Sequence, residues 1–226
     1  MLHGQISGEE TGHSLPGISF LSPAQAFRDP LPSLPIMTAT RLQLELLLGD
    51  SVVDLKGVTE VILADAGATL QILRLIGEEY PNEDDRPRRI EDCIVSLSVA
   101  RCYQTVCASN GSHTGSYVAE WQHCRRIAEN ARELAKGMDG FQPEEAYLVG
   151  LLSRLGRLPQ VLGWEIERTS PAEDEALGVM LAFHWNLPGY VVLAIKEQQE
   201  AMGSSKWDKI LRMADELATR SVDEAA

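Results

Sequence analysis

From Leu42 onward the apolar residues of this chain recur three and four positions apart, and no stretch of any length alternates apolar with polar residues. This pattern excludes a sheet-based core and predicts an all-α chain of many short-to-medium helices. Leu42 and Leu46 lie near one face of a first helix ended by Gly49-Asp50. Leu55, Val58 and Ile62 mark a second helix, and Leu70, Leu73 and Gly77, widened by Ile72 and Ile76, a third. Val95, Val99, Cys102 and Val106 fit one longer helix. Ile127, Ala131 and Leu134 follow Trp121 in another, and Leu148, Leu151, Leu152 and Leu155 in the next. Two final helices are predicted over 188–201 and 205–220.

The punctuation is that of a helical protein. Pro143 precedes Glu144-Glu145 and suits a first helical turn, where a missing N–H is harmless. YPNEDDRPRR, residues 80–89, reads as a loop with two prolines. ASNGSHTGS, beginning at Ala108, reads as a flexible connector. It separates an N-terminal helical half, 31–108, from a C-terminal half, 117–218, with 109–116 between them. Residues 1–30 are rich in Gly, Ser, Pro and His and are expected to be a mobile tail or strap, with SPAQAFRD making a turn or two of helix. Residues 219–226 are expected to be a C-terminal tail.

Charge narrows the partners. With 33 acidic against 20 basic residues the formal net charge is −13, which repels nucleic acid and anionic membrane surfaces. Neither a signal peptide nor a run of roughly 20 apolar residues is present, so a cytoplasmic protein is expected. Cys93, Cys102, Cys107 and Cys124 form no C-x-x-C pair and are read as reduced, mostly buried thiols. There is no Walker loop, dinucleotide fingerprint or nucleophile elbow, so Ser153, His123 and Asp215 are not read as a hydrolase triad.

Several segments taken in order resemble one family. LPSLPIM, DLKGVTEVILADAGATLQILRLI and RRIEDCIVSLSVARC are similar to successive segments of the HDOD domain. So are WQHCRRIAENARELA, PEEAYLVGLLSRLGRLPQVL and EALGVMLAFHWNLPGYVVLAIKEQ. The resemblance covers residues 31 to about 218. It implies an HD-domain-like bundle whose second half is a degenerate HD fold. HDOD domains are relatives of metal-dependent HD phosphohydrolases, generally lack the hydrolase activity, and are associated with bacterial signalling and regulation.

The resemblance also locates a vestigial site. HD enzymes hold a divalent metal through a His on one helix, a His-Asp pair on another and a distant Asp. His123 matches the first, Ser153 and Arg154 stand where the pair would be, and Asp215 matches the last. Asp174 and Gln198-Gln199 correspond to further histidines of the hydrolases. A guanidinium stays protonated and cannot ligate a metal, so no metal, no cofactor and no catalytic residue are expected. Two placements of Arg154 stay open: paired inward with Asp215 as an electrostatic stand-in for the metal, or out on the surface. A lone His123 is read as structural, as is His184 beside Trp185.

The resemblance implies a non-catalytic regulatory module acting by protein–protein interaction. Expected partners are signalling proteins: a response regulator, a cyclase or phosphodiesterase, or a kinase. The alternative is a nucleotide or cyclic-dinucleotide receptor using the old pocket, with Arg154 and Arg157, or Arg88 and Arg89, contacting phosphate. The bland reading of the arginines at 86–89 is a solvated loop offsetting Glu83, Asp84 and Asp85. The acidic loop, the seam between halves and the N-terminal strap are the candidate contact surfaces.

Overall fold

A computed structural model describes residues 34–49, 52–108, 114–164, 171–199 and 205–223. The N-terminal strap, the middle of the 108–116 connector, and the end of the helix expected over 188–201 lie outside the described residues. All the described residues belong to one compact unit.

The described residues are helical with no strand, as the spacing predicts. The first half comprises α1 (Thr38–Gly49), α2 (Leu55–Leu63), α3 (Ala66–Glu79), α4 (Ile90–Leu97) and α5 (Val99–Ala108). The second comprises α6 (Gly115–Lys136), α7 (Pro143–Leu152), α8 (Leu158–Leu162), α9 (Pro171–His184), α10 (Gly189–Gln199) and α11 (Lys206–Asp223). Single 3-10 turns stand at Glu83–Asp85 and Leu155–Arg157. Gly115 and Ser116, expected in the connector, already belong to α6, whose first turn is capped by Thr114 Oγ1 accepting from the Tyr117 amide at 3.2 Å. At the other end α11 continues through residues 219–223, expected to be tail.

Asp65 organises the first half. It is 1% exposed and caps α3: Oδ1 accepts from the Ala68 amide at 3.1 Å. Its Oδ2 accepts from the Met37 amide at 2.8 Å and from Thr40 Oγ1 at 2.7 Å. One carboxylate thus ties the start of α3 to the entry of α1. Gly67 permits the approach: a Cβ there would lie 2.3 Å from the Pro35 carbonyl oxygen.

Two sequence expectations need correction. Leu42 and Leu46 do not face the core; they are 55% and 75% exposed, and Thr40 and Leu44 are buried instead. The single long helix through Val95 and Val106 is two helices. Ser98 takes φ of 70°, a left-handed value that ends α4 before α5 begins. The chain turns there, so the buried set becomes Ile90, Cys93, Ile94 and Leu97, then Cys102 and Val106, and Val95 is exposed.

The two halves meet along a seam bridged by directed hydrogen bonds. The hydroxyl of Tyr117 donates to the Pro35 carbonyl at 3.0 Å, Trp121 Nε1 to Ala64 at 3.3 Å, and the hydroxyl of Tyr147 to Leu63 at 2.9 Å. Each aromatic ring fills space in the seam while its polar tip satisfies a carbonyl near a helix end of the first half.

The 80–89 loop adds a latch. Arg86 is not a solvated counter-charge. Its Nε donates to Tyr80 O at 2.6 Å, its Nη2 to Pro81 O at 3.1 Å, and both Nη atoms to Asn186 oxygens at 3.1–3.2 Å. Asn186, with φ of 52°, returns its Nδ2 to Gly77 O at 2.9 Å. Arg86→Ala is expected to lower stability by about 2 kcal/mol, because carbonyls on both sides of the seam lose a charged donor. Arg86→Lys should recover less than half, since an ammonium lacks the planar fork. Urea midpoints of the three proteins measure this.

Candidate functional site

Helix α6 presents Glu120, His123 and Cys124 along one side, three and four residues apart. Trp121, Cys124, Ile127 and Ala128 are buried on the same helix, which seats it against α7 and α11. Arg154 follows the end of α7, and Asp215 comes from the middle of α11. The fold therefore brings together His123, Arg154 and Asp215, which lie far apart in the chain.

Arg154 turns inward. Its Nε lies 2.6 Å from Glu120 Oε1, and its Nη1 lies 3.5 Å from Asp215 Oδ1. His123 Nε2 lies 2.7 Å from the same Asp215 oxygen. Arg157 reaches Glu120 from outside at 3.8 Å. Glu120 is the residue the sequence reading missed. Its side chain is only 12% exposed and it is Arg154's principal partner, ahead of the anticipated Asp215. No local sequence signal marks it, because its partner lies 34 positions away.

The network joins two carboxylates, two guanidiniums and one imidazole. The Cys124 thiol behind them is pushed up to about 12, first by burial, then by the charge of Glu120, with Arg154 opposing. It is a buried thiol whose surroundings disfavour the thiolate. Ser153 does not join the network; its hydroxyl donates to the Gly150 carbonyl at 2.9 Å. Among other candidates, Gln198 is half-buried on α10, while the side chains of Asp174 and Gln199 lie outside the described residues.

Arg88 and Arg89 belong elsewhere. Arg88 Nη1 pairs with Glu145 Oε1 at 3.1 Å, and Arg89 Nη2 with Glu91 Oε2 at 3.3 Å. Glu145 opens α7 and Arg154 follows its far end, roughly 13 Å away at the helical rise per residue. The four arginines named from sequence therefore do not converge on one ligand. Beside Arg86 and Arg88 lies a shallow cleft lined by Leu73, Ile76, Glu83, Asn186 and Tyr190.

The donor set does not fit the divalent metal of HD enzymes. His123 Nε2 and Asp215 Oδ1 bond to each other, and a fixed guanidinium sits beside that oxygen. A divalent cation about 4 Å from Arg154 would meet repulsion of roughly 8 kcal/mol at an effective dielectric near 20. Among the described residues no three His, Cys, Asp or Glu side chains are arranged to hold a metal.

Arg154 and Arg157 separate cleanly by exposure. Arg154→Ala strands Glu120 and is expected to cost about 2 kcal/mol, with Arg157→Ala, whose side chain is 48% exposed, under about 0.5 kcal/mol. Thermal and urea unfolding of both variants tests the ranking; equal, small losses would leave Arg154 without a structural role.

Comparison with known proteins agrees with this architecture. A family model described as the HDOD domain matches residues 88–165. No curated protein matches the chain. The MmoQ response regulator from Methylococcus capsulatus superposes with a TM-score of 0.69 at 19% identity, over 84% of this chain and 88% of that one. Its 20–298 fragment gives 0.67 at 20% identity, covering 82% and 84%. An HDOD domain protein of unknown function from Geobacter sulfurreducens aligns over 84% of this chain and 74% of its own at 19% identity, with a TM-score of 0.40. At these identities the likeness speaks for the fold, which the MmoQ structures share over most of their length. The family match then adds which known domain part of that fold resembles: residues 88–165 match the HDOD domain.

Proposed function

We propose that this protein is a non-catalytic regulatory module of bacterial signal transduction that works by binding another protein. The observation that carries the proposal is the Arg154 network. A guanidinium held by Glu120 and Asp215 stands at Arg154, the residue that the family resemblance aligns with a ligand position of metal-dependent hydrolases. The same network gives the domain a structural reason to keep His123 and Asp215 without chemistry. The HDOD match and the response-regulator name of MmoQ support a signalling context. On this reading the partner is a response regulator, a cyclase or phosphodiesterase, or a kinase, met in the cytoplasm. No helix among the described residues is long and apolar enough to cross a membrane.

The nucleotide-receptor alternative needs a cation free to meet phosphate. Arg154 is already neutralised at short range, so a phosphate ester must displace Glu120 to reach it. The test is one thermal-shift panel with Mn2+, Ni2+, Zn2+, mononucleotides and cyclic dinucleotides, beside a phosphodiesterase assay with each metal. The expected result is no saturable rise in Tm and no turnover. A ligand-dependent rise of several degrees that disappears in Arg154→Ala would establish the receptor instead, and metal-dependent turnover would overturn the non-catalytic reading.

A further inference from the structure

Two kinds of contact join the halves, and they differ in burial. The hydrogen bonds from Tyr117, Trp121 and Tyr147 come from buried side chains. Those of the 80–89 loop are polar and lie at the surface. Residues 81–85 are exposed, and the loop's only apolar side chains after Tyr80 are Pro81, exposed, and Pro87, half-buried. Glu83 Oε1 accepts from the Gly189 amide at the start of α10, and Arg86 bonds Asn186. The Tyr190 hydroxyl donates to the Arg88 carbonyl at 3.4 Å, and Arg88 pairs with Glu145 on α7. The loop is also braced within itself. Asn82 Nδ2 donates to Asp85 Oδ2 at 2.9 Å, the Arg86 amide to Glu83 O at 3.1 Å, and Arg86 Nε to Tyr80 O. None of these internal bonds needs the second half.

We propose that residues 81–88 are a detachable clasp: a pre-formed loop that leaves the corner between α9 and α10 as one piece while the aromatic bonds keep the halves together. Because the loop buries little apolar surface, its release is a local opening, far below global unfolding in free energy. The internal bonds hold its shape after release, so its contacts to the second half break together. Asn186 stays seated, because its Nδ2 still donates to Gly77 O. With the clasp closed, the cleft beneath it has about 10 Å³, room for a single water. Release bares Leu73 and Ile76, each 2% exposed when it is closed, beside Tyr190. The clasp thus controls access to an apolar floor, whatever the protein binds.

The test is native-state amide hydrogen exchange of the full-length protein, read by NMR at low urea concentrations. The reporter is the Gly189 amide, whose acceptor is the Glu83 carboxylate, and the control is the Ala68 amide inside the Asp65 cap. Gly189 should exchange faster than Ala68 and almost independently of urea, because release exposes little surface. Arg86→Ala should speed Gly189 exchange about thirtyfold, although Arg86 bonds Asn186 and not Gly189. Arg88→Gln is the milder variant, because its arginine is 72% exposed. It should speed Gly189 exchange about threefold, shift Tm by less than about 2 °C, and leave the rate of the Arg86 amide unchanged. Gly189 exchange that follows urea as steeply as Ala68 would make the loop part of the cooperative core and overturn the clasp. Gly189 exchange unmoved by both variants would show contacts that break singly, and a parallel rise at the Arg86 amide in Arg88→Gln would show a loop that melts; either overturns the proposal.

Discussion

Replacing Asp65 with Ala is expected to cost about 4 kcal/mol and to leave the first half poorly formed. Three donors converge on this carboxylate: the Met37 and Ala68 amides and the Thr40 hydroxyl. Deletion orphans all three in a region closed to water, at roughly 1–3 kcal/mol per buried unsatisfied group before relaxation, and removes an N-cap. Asp65→Asn should lose about half as much. One amide oxygen can still accept on one side, but the –NH2 then faces a donor on the other. Denaturant titration of the three proteins gives the order wild type, Asn, Ala.

The pH dependence of Asp65 has a defined sign. Burial raises its pKa above the ordinary carboxylate value of 3.8, against the lowering effect of its hydrogen bonds to Thr40, Met37, Ala68 and Gly67. The folded state therefore holds the proton to higher pH than the unfolded state does. Its contribution to stability is fully present below the unfolded pKa and declines as pH rises through the folded one. The difference in unfolding free energy between wild type and Asp65→Asn should accordingly shrink as pH rises from about 3 through the folded pKa, which the difference curve would locate. A difference that grows with pH would show that the hydrogen bonds outweigh burial.

The second large effect is expected at Gly150, where α7 lies against α6. A Cβ at this position would sit 2.8 Å from Ala128 Cα, 3.0 Å from its nitrogen and 3.1 Å from the Ile127 carbonyl oxygen. All three are backbone atoms in the middle of a 22-residue helix and cannot rotate aside. Gly150→Ala gains about 1 kcal/mol of helix propensity, yet overpacking of this kind costs typically 1–3 kcal/mol and more where the backbone itself must yield. A net loss of about 2 kcal/mol is expected. Because α6 carries Glu120 and His123 while Arg154 follows α7, the same shift should lessen the stability lost on Arg154→Ala. Urea unfolding of the single and double variants measures both effects.

How much of this was legible in the sequence depended on whether one force decided the outcome. Helix α3 was read correctly because Leu70, Leu73, Ile72, Ile76 and Gly77 leave no competing apolar face, and all are buried. Helix α1 offered two stripes. Leucines at 42 and 46 lie on one flank, while 44, 47 and 48 follow Thr40 on another. Hydrophobicity did not choose between them. The Thr40 hydroxyl bond to Asp65 fixes the helix's rotation, and a contact across 25 residues has no periodic signature. The break at Ser98 was hidden for a related reason: serine is a weak marker for a left-handed residue, so the apolar spacing ran across it.

At the candidate site the sequence supplied three positions by resemblance, and the fold supplied the partner that makes them a unit. Arg154 was visible as a cation where acids and imidazoles were expected. Glu120 was not, because no local rule distinguishes a surface glutamate on an amphipathic helix from one held at 2.6 Å by a residue 34 positions away. The arginines of the 80–89 loop failed in the opposite direction. Their local neighbours are acidic, yet Arg86 is directed at carbonyls, including that of a residue 100 positions away.

The Arg154 network also acts as a ratchet on what this scaffold can become. Introducing an aspartate at position 154 alone would set three carboxylates around one point, with Arg157 on the rim and no strong cation inside. Introducing a histidine at position 153 alone would remove the hydroxyl that satisfies Gly150 while Arg154 still stood beside Asp215. Each single step passes through a less stable protein before a second could gather metal ligands. A stepwise exchange of this network for metal-binding side chains thus runs uphill from this sequence, while exposed positions such as Leu42 and Leu46 can change without disturbing the interior.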